Sequence, residues 1–192
     1  MTASAAEHSR AYFARVSASM QQVDMQEVAT VAGVLDSARR HDSTIFFIGN
    51  GGSAATASHF ATDLGVGSIT VEPPFRAVSL TDNQAVITAT ANDHGYDQVF
   101  VRQLRLLAKP NDVVVALSAS GNSANLVRAF EFAATVPIVT VALTAFDGGQ
   151  LRGLADHSIH VPTDLGDYGP AEDIHLMLNH AISLHLRNAA GL

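Results

Sequence analysis

The stretch Thr44–Asp63, TIFFIGNGGSAATASHFATD, decides the fold. Its first five residues, Thr44 to Ile48, are β-branched or aromatic and read as a strand. The next five, GNGGS, form a loop in which Gly49, Gly51 and Gly52 permit backbone conformations and close approaches denied to residues with side chains. The remainder has helix-forming composition, with His59 and Asp63 one turn apart. Strand, glycine loop and helix together let backbone amides converge on an anion at the positive end of the helix. A phosphorylated small molecule is the ligand this pattern suggests.

Working outward, apolar and helical stretches alternate. Strands are expected at Thr44 to Ile48, Arg76 to Leu80, Asp112 to Leu117, Ile138 to Leu143 and Ser158 to Val161. Near-continuous runs such as VVVAL and IVTVAL suit strands buried on both faces, as in a parallel sheet covered by helices. The expected fold class is an α/β three-layer sandwich, whose ligands sit at the carboxyl ends of the strands. Upstream, Phe13, Val16, Met20 and Val23, then Val28, Val31, Leu35 and Ala38, recur at helical spacing, so two helices precede the first strand. Asp24 and Glu27, at capping-box spacing, mark the break between them. These helices must pack on a sheet face or on another subunit. Pro170 to Arg187 reads as a closing helix, with Pro170 in its first turn and Ile174, Leu178 and Ile182 on one face. The whole chain, 1–192, is expected to be one domain: helices within 1–41, then an α/β core over 44–189.

Composition narrows the function. The chain has 192 residues and 47% hydrophobic content, enough for one sizeable core. A formal charge of -7, from 18 acidic against 11 basic residues, leaves no basic stripe for a nucleic-acid backbone. With no cysteine, a metal here needs imidazole and carboxylate ligands, and a reducing cytoplasm fits. The start MTASAAEHSRAYFARV lacks the basic and apolar regions of a signal peptide, and no apolar run approaches the roughly 20 residues of a membrane span. The expectation is a cytoplasmic chain with neither membrane nor nucleic-acid partner.

A second loop, Ser118-Ala119-Ser120-Gly121-Asn122-Ser123, follows VVVAL and precedes a helical segment. Its hydroxyls and glycine offer donors to phosphate oxygens. In isolation such a loop is more ordinarily a helix start capped by Ser123 or Asn122; two such loops in one sheet favour the anion. GNGGS lacks the lysine of the Walker pattern and the spacing of the dinucleotide fingerprint, which disfavours nucleoside triphosphate and NAD.

GNGGSAATASHFATDL, ANDHGYDQVF, SASGNSANLVRA, LTAFDGGQL and AEDIHLMLNH occur in the order and spacing of the sugar isomerase domain family. From about Ile45 to His185 the chain resembles this family, and most of all its phosphoheptose isomerase branch. The resemblance implies a flavodoxin-like sheet of five parallel strands, a homotetramer, bound zinc, and interconversion of sedoheptulose 7-phosphate with a heptose 7-phosphate. It assigns Asn50, Gly51, Gly52 and Ser53 to substrate binding, with Asn92, Asp93, Ser118, Ala119, Ser120 and Ser123. Read alone, Asn92 and Asp93 suit an ordinary turn before Gly95.

The resemblance also implies a metal set of His59, Asp63, Glu172 and His180, with Asp63, Glu172 and His180 as catalytic candidates. The branch usually has Glu where Asp63 stands, Gln where Glu172 stands, and Ser-Thr-Ser where this chain has Ser118-Ala119-Ser120. Aldose–ketose isomerisation through an enediol needs a base, an acid and a stabilised oxyanion. Asp63, or failing it Glu172, is the expected base, and His180 the acid or an ion ligand. Helical geometry raises one difficulty. Eight residues separate Glu172 from His180, about 12 Å of rise and roughly 80° of rotation, too far for one ion. Either Glu172 lies in a non-helical entry turn or different subunits supply the two. Asp173 is an alternate ligand, and His175 and His185, off the His180 face, are expected to pack or lie at the surface.

Overall fold

A computed structural model describes residues 4–190; positions 1–3 and 191–192 of the expected single domain lie outside the described residues. Two helices come first, α1 (Ala5–Met20) and α2 (Met25–Arg40). Then β1 (Thr44–Gly49), α3 (Gly51–Gly65), β2 (Arg76–Ser79), α4 (Gln84–His94), α5 (Val101–Leu107) and β3 (Val113–Ser118) follow. The chain closes with α6 (Ala124–Ala133), β4 (Val139–Ala145), α7 (Gly149–Leu154), β5 (His157–Val161) and α8 (Tyr168–Ala189). The expected strands all form, with ends shifted by a residue or two.

The sheet is wholly parallel in the order β2-β1-β3-β4-β5. Strand side chains alternate between its faces. Ile45, Phe47, Val113, Val115, Val141 and Leu143 meet α2, α3 and α8, with Phe47 stacked 4.7 Å from Phe60. Phe46, Ile48, Val114, Ala116 and Ala142 meet Leu104 of α5, Leu126 and Phe130 of α6 and Leu151 of α7 on the opposite face. This is the three-layer sandwich of the sequence reading, and each large buried side chain contributes about 1.5–3 kcal/mol. At the amino ends of the strands, aspartates pin neighbours together. Asp112, 4% exposed, accepts from the Thr44 and Lys109 amides at 2.7 Å each, and Asp156 accepts from the Thr140 amide and hydroxyl at 2.8 Å.

The break between the first helices falls at Asp24, whose carboxylate accepts the Gln26 amide at 2.7 Å. The capping box expected with Glu27 does not close on itself. Glu27 instead accepts the His160 amide of β5 at 2.9 Å, tying α2 to the sheet edge. A closed box occurs one helix earlier, between Ser4 and Glu7. α1 buries no residue fully. Val16 and Met20 lean on the core, while Tyr12 donates to Asp173 at 2.5 Å and Arg15 pairs with Asp167 at 3.0 Å, both at the start of α8.

Candidate active site

β1 and β3 are adjacent, yet the chain leaves them in opposite directions across the sheet, to β2 from one and to β4 from the other. A crevice opens at the carboxyl ends of such a pair, the place where open α/β sheets take their ligands. The glycine loop follows β1 and the serine loop follows β3, so both fall on this crevice.

The first turn of a helix has amides without intrahelical partners. In α2 and α4 the side chains of Asp24 and Asn83 take one each. α3 and α6 also start on residues able to cap, Asn50 and Ser123, and neither side chain does so. Asn50 is turned aside into a reciprocal amide pair with buried Asn125, at 2.9 and 2.8 Å, and Tyr96 Oη donates to its Oδ1 at 2.9 Å. Asn122 is likewise occupied, accepting the Gln150 amide at 3.1 Å and donating to the Ser120 carbonyl at 3.0 Å. Capping therefore does not explain either loop. Ser118 and Ser120 accept the Gly121 and Asn122 amides, which shapes the serine loop and leaves both hydroxyl protons free to donate. Gly121 adopts φ +63°, and a Cβ there would run into the Gly148 carbonyl.

Asn50, Ser53, Ser118, Ala119, Ser120 and Ser123 line one cavity of about 130 Å³, joined by Tyr168 and Glu172 of α8. The Glu172 carboxylate lies over the first turn of α3, so close that a Cβ on Gly52 would overlap it. Asn92 and Asp93 do not line this cavity. They end α4 rather than forming the turn that a local reading suggests, and Asn92 donates to Asp93 at 2.8 Å.

α3 and α8 run side by side in the same direction, since Gly52 meets Glu172 and, farther along, Asp63 meets Asn179. At this far end three candidate ligands come together. His59 Nε2 stands 3.4 Å and His180 Nε2 3.9 Å from Asp63 Oδ2, and the two imidazole nitrogens are 3.3 Å apart. Two imidazoles bound at about 2.0–2.1 Å to one tetrahedral ion would hold their nitrogens about 3.3 Å apart, so this donor set fits a zinc-like cation. His59 and His180 side chains are 44% and 48% exposed, open to an ion or substrate, against 26% for Asp63.

Glu172 is not part of this trio. It lies within regular α8, which excludes the non-helical entry turn, and its rise of about 12 Å to His180 places it at the cavity end. Asp173 is also absent from the trio, being engaged by Tyr12. His185 is exposed and His175 wholly buried, as their helical positions suggested. Burial brings the His175 pKa down to about 4, opposed by its bond to the Thr144 carbonyl and reinforced by neighbouring His160, itself shifted down by burial. Tyr96, Asn125, Tyr168 and Asn179 were not anticipated. Only Asn125 carried a signal, as a buried-face amide directly after the serine loop.

A larger cavity of about 660 Å³ lies at the opposite, amino-end pole of the sheet, where His41, Asp42, Arg76, Lys109, Asp112 and His157 meet. Arg76 there is paired with Asp42, and Asp112 is consumed by backbone amides. Among the described residues it has neither a glycine loop nor a metal-ligand cluster. Among the described residues no helix is long and apolar enough to cross a membrane.

The chain is similar to known proteins in sequence and in fold. The chain is 39% identical over 160 residues to a probable phosphoheptose isomerase of Thermoplasma acidophilum, covering 83% of this chain and 87% of that protein. It is 43% identical over 150 residues to the phosphoheptose isomerase of Mycobacterium tuberculosis, covering 78% and 76%. The solved phosphoheptose isomerase from Neisseria gonorrhoeae superposes with a TM-score of 0.85 at 30% identity, over 96% of this chain and all of that one. The family model of the SIS domain matches residues 11–145. The chain belongs to the sugar isomerase (SIS) domain family, within its phosphoheptose isomerase branch.

Proposed function

We propose that the chain is an aldose–ketose isomerase of a phosphorylated sugar, converting sedoheptulose 7-phosphate to D-glycero-D-manno-heptose 7-phosphate. The observation that carries this is the spacing of two half-sites along the neighbouring helices α3 and α8. From Ser53 at the cavity to His59 in the trio, α3 rises about 9 Å, a span suited to a long sugar held by its terminal phosphate with its first carbons at the far end.

The phosphate is held by the hydroxyls of Ser118, Ser120 and Ser123, the Ala119 amide, and the first-turn amides of Gly51, Gly52 and Ser53, with Asn50 shaping the loop. Asp63 is the proposed base. Its Oδ2 faces the histidines and takes the Asn179 amide, while Oδ1 has no hydrogen bond among the described residues and is the atom open to a substrate proton. His59, Asp63 and His180 would hold a zinc ion, which supplies polarisation of the carbonyl and of the developing enediolate oxygen. While His180 Nε2 is engaged in that way it carries no proton. In the ion-free protein it serves as the acid. Glu172 would join an ion only if another copy supplied it. Such an arrangement accords with a homotetramer, as does α1, which leaves Phe13 67% exposed. The absence of cysteine accords with the cytoplasm.

The test is a panel of pentose, hexose and heptose phosphates given to zinc-loaded protein, following aldose formation. Turnover is expected with sedoheptulose 7-phosphate. Turnover of a shorter sugar alone, by correctly folded protein, would overturn the heptose assignment.

A further inference from the structure

We infer that Asn179, oriented by Ser183, is a positioning residue that fixes the Asp63 carboxylate for cation binding. This rests on the reading of His59, Asp63 and His180 as the reactive trio. Asn179 lies on α8 among Ile174, Leu178, Ile182 and Leu186 and is 0% exposed. A primary amide in such surroundings costs on the order of 1–3 kcal/mol unless its polar atoms are bonded, whereas leucine would satisfy the apolar face. Packing alone therefore gives no reason for asparagine here.

Its bonds supply one. Asn179 Nδ2 donates to Asp63 Oδ2 at 3.0 Å, and its Oδ1 accepts from Ser183 Oγ at 3.1 Å, Ser183 being 3% exposed. The carboxylate only accepts, so the amide presents its N–H to Asp63 and leaves Oδ1 to take the Ser183 hydroxyl. A reversed amide would set two acceptors against each other. The donor is also neutral. Arginine or lysine at this place would cancel the charge of Asp63, while an amide orients the carboxylate and leaves that charge for a cation. Among the described residues Asp63 otherwise has only two half-exposed histidines beside it, and neither can hold it still. Partners of this kind behind a ligand typically govern affinity by about 10–100-fold.

The test measures zinc affinity by competition with a chromophoric chelator, with near-ultraviolet circular dichroism as the check on folding. Asn179→Leu should weaken zinc binding by about 10–100-fold. It should lower kcat and leave KM for the sugar phosphate unchanged, because the phosphate loops are untouched. Ser183→Ala, a smaller change that keeps the fold, should weaken zinc by about three- to tenfold, the equivalent of one hydrogen bond. Wild-type affinity in Ser183→Ala and in any folded Asn179→Leu would overturn the inference. If the wild-type protein binds no zinc, the reading of the trio fails instead. The anchor is then judged from a crystal structure of Ser183→Ala: a displaced Asp63 side chain supports it, and an unmoved one refutes it.

Discussion

The two ends of the α3–α8 helix pair are built from different materials. At the near end the donors are backbone amides and serine hydroxyls in loops fixed by β1 and β3, and the cavity walls include buried Ser53, Ser118 and Ala119. At the far end the working groups are side chains on helix surfaces, with His59 and His180 about half exposed and Asp63 held by a single buried amide. The near end is therefore a property of the fold. The far end is a property of a few residues, free to change without disturbing the sheet.

The two ends separate most sharply at His180. His180→Ala should lower kcat by about 10²–10⁴, the usual worth of a placed acid–base group, while sugar phosphate affinity and thermal stability stay near wild type. Steady-state kinetics, with isothermal titration of the phosphorylated substrate under non-turnover conditions, reads both ends at once. A fall in affinity that tracks kcat would show that the ends are not separable.

Between the ends sits His175, which faces His160 and the Thr144 carbonyl on β4. Its folded pKa is depressed, to about 4 from 6.5, so the unfolded chain takes up a proton that the folded one refuses. The penalty is absent above about pH 6.5, grows as pH falls, and is complete near pH 4, where it amounts to about 3 kcal/mol. Urea denaturation of the full chain across this range should show the loss, and His175→Met should flatten it. An unchanged acid slope in that variant would assign the sensitivity elsewhere.

The near end was legible in the sequence because its information is local. Strand, glycine loop and helix are contiguous from Thr44 to Asp63, and the same logic repeats from Val113 to Ala133. The strands were readable for a similar reason, since burial on both faces produces unbroken apolar runs. The far end depends on which helix lies beside α3, and the Asn179–Asp63 bond joins residues 116 apart, beyond any periodicity. Glu27 illustrates the reverse error. Its spacing from Asp24 is that of a capping box, yet its carboxylate is drawn to the unpaired His160 amide at the edge strand β5, a partner only the tertiary fold supplies. Glu172 and His180, incompatible as ligands of one ion by helical rise, become intelligible once each is assigned to its own end of the α3–α8 pair.

The smallest effect expected is at Tyr12. α1 has no fully buried residue, so its attachment to α8 depends on Tyr12, Arg15 and partial packing by Val16 and Met20. Tyr12 Oη donates to Asp173, and this bond to a carboxylate raises the phenol pKa to about 12. Its ring also lies against Gly169, beside Tyr168 of the cavity wall. Tyr12→Phe keeps the ring and deletes the bond. Because the pair is solvent-accessible, the loss should be no more than about 1 kcal/mol, or about 2–4 °C in Tm for a chain of this size. Hydrogen exchange should quicken in α1 and the first turn of α8, and remain unchanged around His59 and His180. KM should shift slightly while kcat holds. If kcat falls instead, α1 bears on the reactive end, and the boundary between the two half-sites must be redrawn to include it.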